Sequence, residues 1–189
     1  MQDAFTFVIS ALLDLYVIAL VLRLVLGLQR ADARNPLAQA ILRVTDPLVL
    51  PARRFIPAAG RLDTATLVAV LLVQVLGTGL LASIACVGHN SPGQIMALGL
   101  LRLVHLVLRT YSLLTLVYVI TSWISQGGYN PAMAMLAAIV EPVLAPFRRF
   151  IPSLGGLDLS PIFALLAIEF VNRLVPSGFG AAGMVCMPF

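Results

Sequence analysis

One string of seventeen residues occurs twice in this chain, and it constrains the fold more than any other feature. Residues 47–63 read P-L-V-L-P-A-R-R-F-I-P-A-A-G-R-L-D, and residues 142–158 read P-V-L-A-P-F-R-R-F-I-P-S-L-G-G-L-D. Aligned without a gap at an offset of 95 (Asp63 on Asp158), they share Pro47/Pro142, Pro51/Pro146, Arg53/Arg148, Arg54/Arg149, Phe55/Phe150, Ile56/Ile151, Pro57/Pro152, Gly60/Gly155 and Leu62/Leu157. A P-x-R-R-F-I-P-x-x-G-x-L-D string present twice marks an internal repeat, and a repeat sets the architecture before any element is assigned. The same offset pairs Asn35-Pro36 with Asn130-Pro131, Tyr16 with Tyr111, Ala69 with Ala164 and Leu71 with Leu166. A chain of 189 residues is almost two such units. The expectation is a tandem duplication, residues 1–94 and 95–189, with no further domain.

What surrounds the repeats is apolar. Hydrophobic residues make up 60% of the chain and charged residues only 11%, against about 25% charged in an average soluble domain. A single globular core cannot hide so much apolar surface, so the surplus faces lipid. The net charge is +4, and all twelve basic residues are arginine. Most of them cluster beside hydrophobic spans, where membrane orientation and lipid contact account for them. With no RNA- or DNA-binding module in view, the charge does not point to nucleic acid. Cys86 and Cys186 do not occupy equivalent repeat positions, and two such cysteines read as unpaired apolar thiols rather than a disulfide framework.

The pattern predicts an all-α membrane protein with four transmembrane helices, each repeat running helix, short interfacial helix, Pro/Arg loop, helix. The expected spans are Phe5–Leu28, Thr64–Val87, a core of Leu100–Trp123, and Pro161 to about Val175. Leu37–Thr45 and Ala132–Val140 are too short to cross and are expected at the interface or dipping into it. Pro47, Pro51 and Pro57 are expected to exclude a regular helix through the motif. Asp63 or Thr64, and Ser160 ahead of Pro161, read as helix starts. Arg30, Arg34, Arg43, Arg53, Arg54 and Arg61, with Arg148 and Arg149, fall on the motif side of the membrane; the opposite turn and both termini carry none. The excess of positive charge on cytoplasmic loops then places both motif loops in the cytoplasm and both termini outside. The repeats are parallel, about an axis along the membrane normal.

Two groups of residues could carry function. The adjacent pairs Arg53-Arg54 and Arg148-Arg149 can hold lipid phosphates or a partner's carboxylates through forked hydrogen bonds. Pro51, Pro57, Gly60 and Asp63, with Pro146, Pro152, Gly155 and Asp158, would stiffen and turn each loop. The structural alternative is that these arginines only snorkel and fix topology. The second group lies within the spans. Asp14 and Arg109 are equivalent, each 14 residues before its span's inner end, about 21 Å along the helix. An Asp14–Arg109 ion pair near the pseudo-axis is one reading. In the other, Arg109 reaches the outer headgroups alongside Arg102 and His105. Gln74 and Glu169 are likewise equivalent and close to mid-bilayer, where a carboxylate costs about 2.5–3.5 kcal/mol to insert. Glu169 is then either an ion or proton site between the repeats or neutralised locally by Arg173 at i+4, with Asn172 free to bond across helices.

No catalytic residues, metal ligands or cofactor are expected. His89 and His105 lack partners at ligand spacing, Ser112, Ser122 and Ser125 lack a base, and there is no P-loop or G-x-G-x-x-G. The chain resembles the YggT family of small bacterial membrane proteins, which has chloroplast relatives. The resemblance rests on the duplicated motif at Pro51–Asp63 and Pro146–Asp158, the Asn-Pro pairs and the S-W-I-S-Q-G string at Ser122–Gly127. It implies links to osmotic-stress tolerance, potassium homeostasis and cell-division gene neighbourhoods, and in plastids to haem attachment and nucleoid organisation. It implies no catalytic residues. The combined reading is a non-enzymatic scaffold or assembly factor of the bacterial inner membrane, with membrane lipids and an unidentified membrane protein as partners. The alternative is ion transport through Asp14, Arg109, Gln74 and Glu169. Four helices leave little room for a pore, so conduction would call for a homo-oligomer.

Overall fold

Asn35 opens the first of two closely related helices. Its Oδ1 accepts from the backbone N–H of Leu37 at 2.9 Å, and Pro36 sits in the first turn, where a missing N–H costs nothing. Asn130 does the same for the second, accepting from Ala132 at 2.9 Å ahead of Pro131. The computed structural model describes residues 2–29, 34–57, 60, 62–85, 91–124, 130–150 and 158–177. Its helices are α1 (Gln2–Leu28), α2 (Pro36–Phe55), α3 (Thr64–Ala85), α4 (Pro92–Ile124), α5 (Pro131–Phe150) and α6 (Ser160–Leu174). The expected all-helical class therefore holds.

Among the described residues, four helices are by length and composition able to cross a membrane, with candidate spans Ala4–Leu28, Thr64–Ile84, Pro92–Ser122 and Pro131–Phe150. Three are those expected. The fourth is not. α6 has 15 residues, about 22 Å, which falls short of a hydrocarbon core of about 30 Å. Ala132–Val140, expected as a short interfacial piece, is instead the first half of the 20-residue α5.

The cause is the prolines. α2 runs through Pro47 and Pro51, and α5 through Pro142 and Pro146, contrary to the expectation that they exclude a helix. Proline at position i deprives the carbonyl at i−4 of its partner. Spaced four apart, both prolines of each helix fall on one exposed face, away from the packed side. Pro57 does terminate α2: the chain leaves it at Ile56 with extended φ −121° and ψ 101°, the conformation that a following proline imposes.

α1 packs on α2 and α3, and α4 on α5 and α6; α3 returns against α4, while α1 touches α4 and α5, and α2 touches α5. Val17, Leu20, Val21, Val49, Ala65, Ala69 and Val70 form the core of the first half. Val140, Leu144 and Ala164 form that of the second. Leu144 and Ala164 stand 95 positions after Val49 and Ala69, and all four are buried. Leu26, Ala38 and Ile139 join the halves, and Asn35 Nδ2 donates to the Pro131 carbonyl at 2.6 Å. Many large apolar side chains face outward, Phe5, Phe7, Leu12, Leu76 and Phe170 among them, as lipid-facing helices require.

Candidate functional site

Consecutive helical residues point about 100° apart, so Arg53 and Arg54 cannot face the same way. Arg53, at the end of α2, keeps 48% of its side chain exposed but turns toward α3 and gives Asp63 Oδ2 a charge-assisted bond of 2.5 Å. Asp63 also accepts from the hydroxyl and the backbone N–H of Thr66, capping α3 as its sequence position suggests. Thr64 Oγ1 donates to the Pro57 carbonyl at 2.5 Å. Gly60 makes the intervening turn with φ 64°, a left-handed conformation that a β-carbon would strain. The result is a clasp from the end of α2 to the start of α3.

The second copy repeats it. Arg148 Nε donates to Asp158 Oδ2 at 2.8 Å, and Asp158 Oδ1 accepts from the backbone N–H of Ser160 at 2.9 Å. Asp158 therefore supplies the side-chain bond at the start of α6, rather than Ser160. Arg148 has a second acid, Glu141 Oε2 at 2.5 Å. Desolvation alone would raise both motif aspartates. The bonds from Arg53 and Thr66 outweigh it at Asp63, as those from Ser160 and Arg148 do at Asp158, and hold both carboxyls below the ordinary value.

The other arginine of each pair is turned outward. Arg54 and Arg149 are exposed and have no ion-pair partner among the described residues. Beside them Phe55 and Phe150 are each 85% exposed. The structure thus divides four arginines that sequence reasoning grouped together: two hold the fold and two face out. Pro152 and Gly155 lie outside the described residues, as do Cys86, Cys186, Arg30, Arg61 and His89.

A buried arginine that sequence reasoning passed over sits against the middle of α2. Arg23 of α1 is 5% exposed. Its Nη1 donates to Thr45 Oγ1 and Asp46 Oδ1, both at 2.7 Å, and reaches the Leu42 carbonyl at 3.4 Å. The signal was present: a lone arginine in an apolar span needs a partner, and Asp46 lies in the next helix.

The intramembrane residues are sorted differently from expectation. Asp14 is met by Arg102 at 3.4 Å, which corrects the expected pair with Arg109. Equivalent positions do not face each other, because α4 meets α1 seven residues earlier, about two helical turns. Arg109 is exposed and lines a cleft of about 410 Å³ between α4 and α6 with Ser112, Glu169 and Asn172. Glu169 lies on α6, bonded to Arg173 Nε at 2.9 Å, as the local alternative held. Asn172 does bond across helices, its Oδ1 2.7 Å from His105 Nδ1. Gln74 is 5% exposed and lies near Asp14 and Arg102, so Asp14 and Gln74 come together and Glu169 stays apart. Among the described residues no three His, Cys, Asp or Glu side chains gather around a metal position.

Among the described residues, six helices, four of them long and apolar enough to cross a bilayer, with two arginine–aspartate clasps and charged groups within the spans, define a helical protein of the membrane class. The chain belongs to the CCB3/YggT family, whose profile matches residues 2–84 and again residues 97–179. It is 39% identical to an uncharacterised protein of Pseudomonas aeruginosa across 100% of this chain and 95% of that one. It is 32% identical to the uncharacterised protein YggT of Escherichia coli K12, across 99% and 97%. It is also similar to the chloroplastic YlmG homolog protein 2 of Arabidopsis thaliana, 35% identical over 43% of this chain and 31% of that one. No solved structure matches.

Proposed function

We propose that the protein is a non-enzymatic scaffold of the bacterial inner membrane, built from two parallel repeats, residues 1–94 and 95–189. Its two motif tips hold anionic lipid headgroups or the acidic, membrane-proximal face of a partner. The observation that carries this reading is the division within each arginine pair. Arg53 and Arg148 are committed to the fold, whereas Arg54 and Arg149 stand exposed beside exposed Phe55 and Phe150. An exposed arginine next to an exposed ring suits a membrane surface, where the ring enters the interfacial layer and the guanidinium forks onto phosphate. In this reading α5 lies in the interface like its counterpart α2, and α6 with the extended residues after it completes the second repeat's crossing, so that both arginine-rich connections share the cytoplasmic side with both termini opposite. Osmotic-stress tolerance would follow from an intact envelope complex, not from chemistry on a substrate.

Lipid preference tests this. In vesicles of mixed composition, brominated phosphatidylglycerol and brominated phosphatidylcholine are compared as quenchers of Trp123, the single tryptophan. Each surface arginine contributes about 1 kcal/mol toward anionic lipid. The double variant Arg54→Ala/Arg149→Ala should therefore lose about 2 kcal/mol of preference, roughly thirtyfold. An unchanged preference sinks the lipid reading. Crosslinking from positions 54 and 149 then asks whether a protein sits there instead.

Ion transport is the competing reading. The pairing of Glu169 with Arg173 on the second half's own helix weighs against an ion path between the repeats through Glu169. Protein-dependent potassium or proton flux into liposomes would replace the scaffold reading outright.

A further inference from the structure

Hydroxyls inside helices normally donate back to their own backbone, and most of those described here do. Thr45, Thr110 and Thr121 donate to the carbonyls of Ile41, Leu106 and Val117 at 2.6–2.7 Å. Ser10, Ser83 and Ser122 donate to carbonyls three residues back. Thr78 does not. It lies in α3, is 1% exposed, and its Oγ1 has no hydrogen-bond partner. A buried polar group left so costs about 1–3 kcal/mol, and that calls for an explanation.

Thr78 lines a hollow between α1, α3 and α4. The other polar residues there are Asp14, Gln74 and Arg102. The hollow holds about 10 Å³, room for one water-sized occupant. It therefore brings together a carboxylate, an amide and a hydroxyl free of any backbone bond. The Arg102 contact to Asp14 is loose: 3.4 Å, against about 2.7–2.9 Å for a tight charge-assisted bond. Arg102 keeps 25% of its side chain exposed, so its long stem can swing clear and leave the Asp14 carboxylate without its nearest counter-charge, Arg109 acting on it only from farther off.

We propose that this hollow is a site for a small monovalent cation, bound by Asp14, Thr78 and Gln74 in exchange for Arg102. One carboxylate balances one positive charge, whereas a divalent ion would keep a surplus charge away from water. Hard cations take oxygen ligands, and all three groups supply them. With the ion absent, Arg102 acts as the internal counter-charge; with it bound, Arg102 is released toward the surface. The site differs from the motif tips in residues and in chemistry, and it requires no transport: loading an ion tightens the junction of α1, α3 and α4.

The test is unfolding of the purified full chain in detergent, at constant ionic strength, in lithium, sodium, potassium or choline chloride. The expected result is a saturable rise in Tm with one or more of the small cations over choline. Asp14→Asn and Thr78→Val should each abolish that rise. Arg102→Ala removes the competitor and should lower the half-saturating cation concentration about tenfold, as when the competitor leaves one-tenth of the molecules competent. Because Arg102→Ala acts in the opposite direction, the test survives if Asp14→Asn fails to fold. The same Tm in all four salts overturns the proposal. So does a cation effect that survives Thr78→Val, which would show that the hydroxyl is no part of the site.

Discussion

The two copies of the motif share one bond and differ in another. Both clasp the first arginine of the pair to the aspartate ten residues on, Arg53 to Asp63 and Arg148 to Asp158. They part at the acid seven residues before that arginine. Asp46 reaches across to buried Arg23 of α1, while Glu141 turns along its own helix to Arg148. At the positions equivalent to Arg23 and Thr45 the second copy has Tyr118 and Val140. α2 is thus tied to α1 by a buried ion pair, whereas α5 is seated through Ile139, Val140 and Leu144, all fully buried. The clasp is the repeated part of the motif. How the helix is fixed to its neighbour is free to change, and a buried arginine can be exchanged for apolar packing at that place.

The largest expected effect sets these two solutions against each other. Arg23→Met leaves Asp46 and Thr45 without their shared donor and should cost about 3 kcal/mol in detergent unfolding. Tyr118→Phe, at the equivalent position beside Arg148, should cost about 1 kcal/mol. The double variant Arg23→Met/Asp46→Leu should recover most of the loss, since apolar groups replace a buried pair well. Equal costs for Arg23→Met and Tyr118→Phe would mean that the two copies are anchored alike.

The clasps come next. Asp63→Ala removes a helix cap and the partner of Arg53, and should cost about 1–2 kcal/mol. Asp158→Ala should cost less, because Arg148 keeps Glu141 and Asp158 is more exposed than Asp63. Acid probes the same bonds. Both carboxyls sit below the ordinary value of 3.8 when folded, so their contribution is complete above that value and is lost as pH falls through the lower folded values. Stability should therefore decline below about pH 4, and Asp63→Asn should flatten that decline more than Asp158→Asn. A decline unchanged by either substitution would place the acid sensitivity elsewhere.

Features fixed by local chemistry were legible from the sequence: three of the apolar spans, the Asp63 cap and the bond from Arg173 to Glu169. Features fixed by packing were not. Pro47 and Pro51 argue against a helix when taken one at a time; their spacing of four, which confines the damage to one exposed face, counts only once the packed face is known. Repeat arithmetic pairs Asp14 with Arg109 on the assumption that equivalent helices meet at equivalent heights, and α4 meets α1 two turns away. Arg23 has no counterpart in the second repeat, where Tyr118 stands, and comparing repeats favours what recurs.

The smallest expected effect on stability is at the residues given the largest role in function. Arg53→Ala should lower the unfolding midpoint measurably, because it frees Asp63. Arg54→Ala, one residue on, should not move it, and neither should Arg149→Ala beside Arg148→Ala. The contrast is informative because net charge, chain position and residue type are the same within each pair; only the presence of an aspartate partner differs. Measured in detergent, where no anionic lipid competes for the outward arginines, equal shifts for Arg53→Ala and Arg54→Ala would show that both arginines of the pair hold the fold. The outward pair would then have no surplus charge to offer a phosphate.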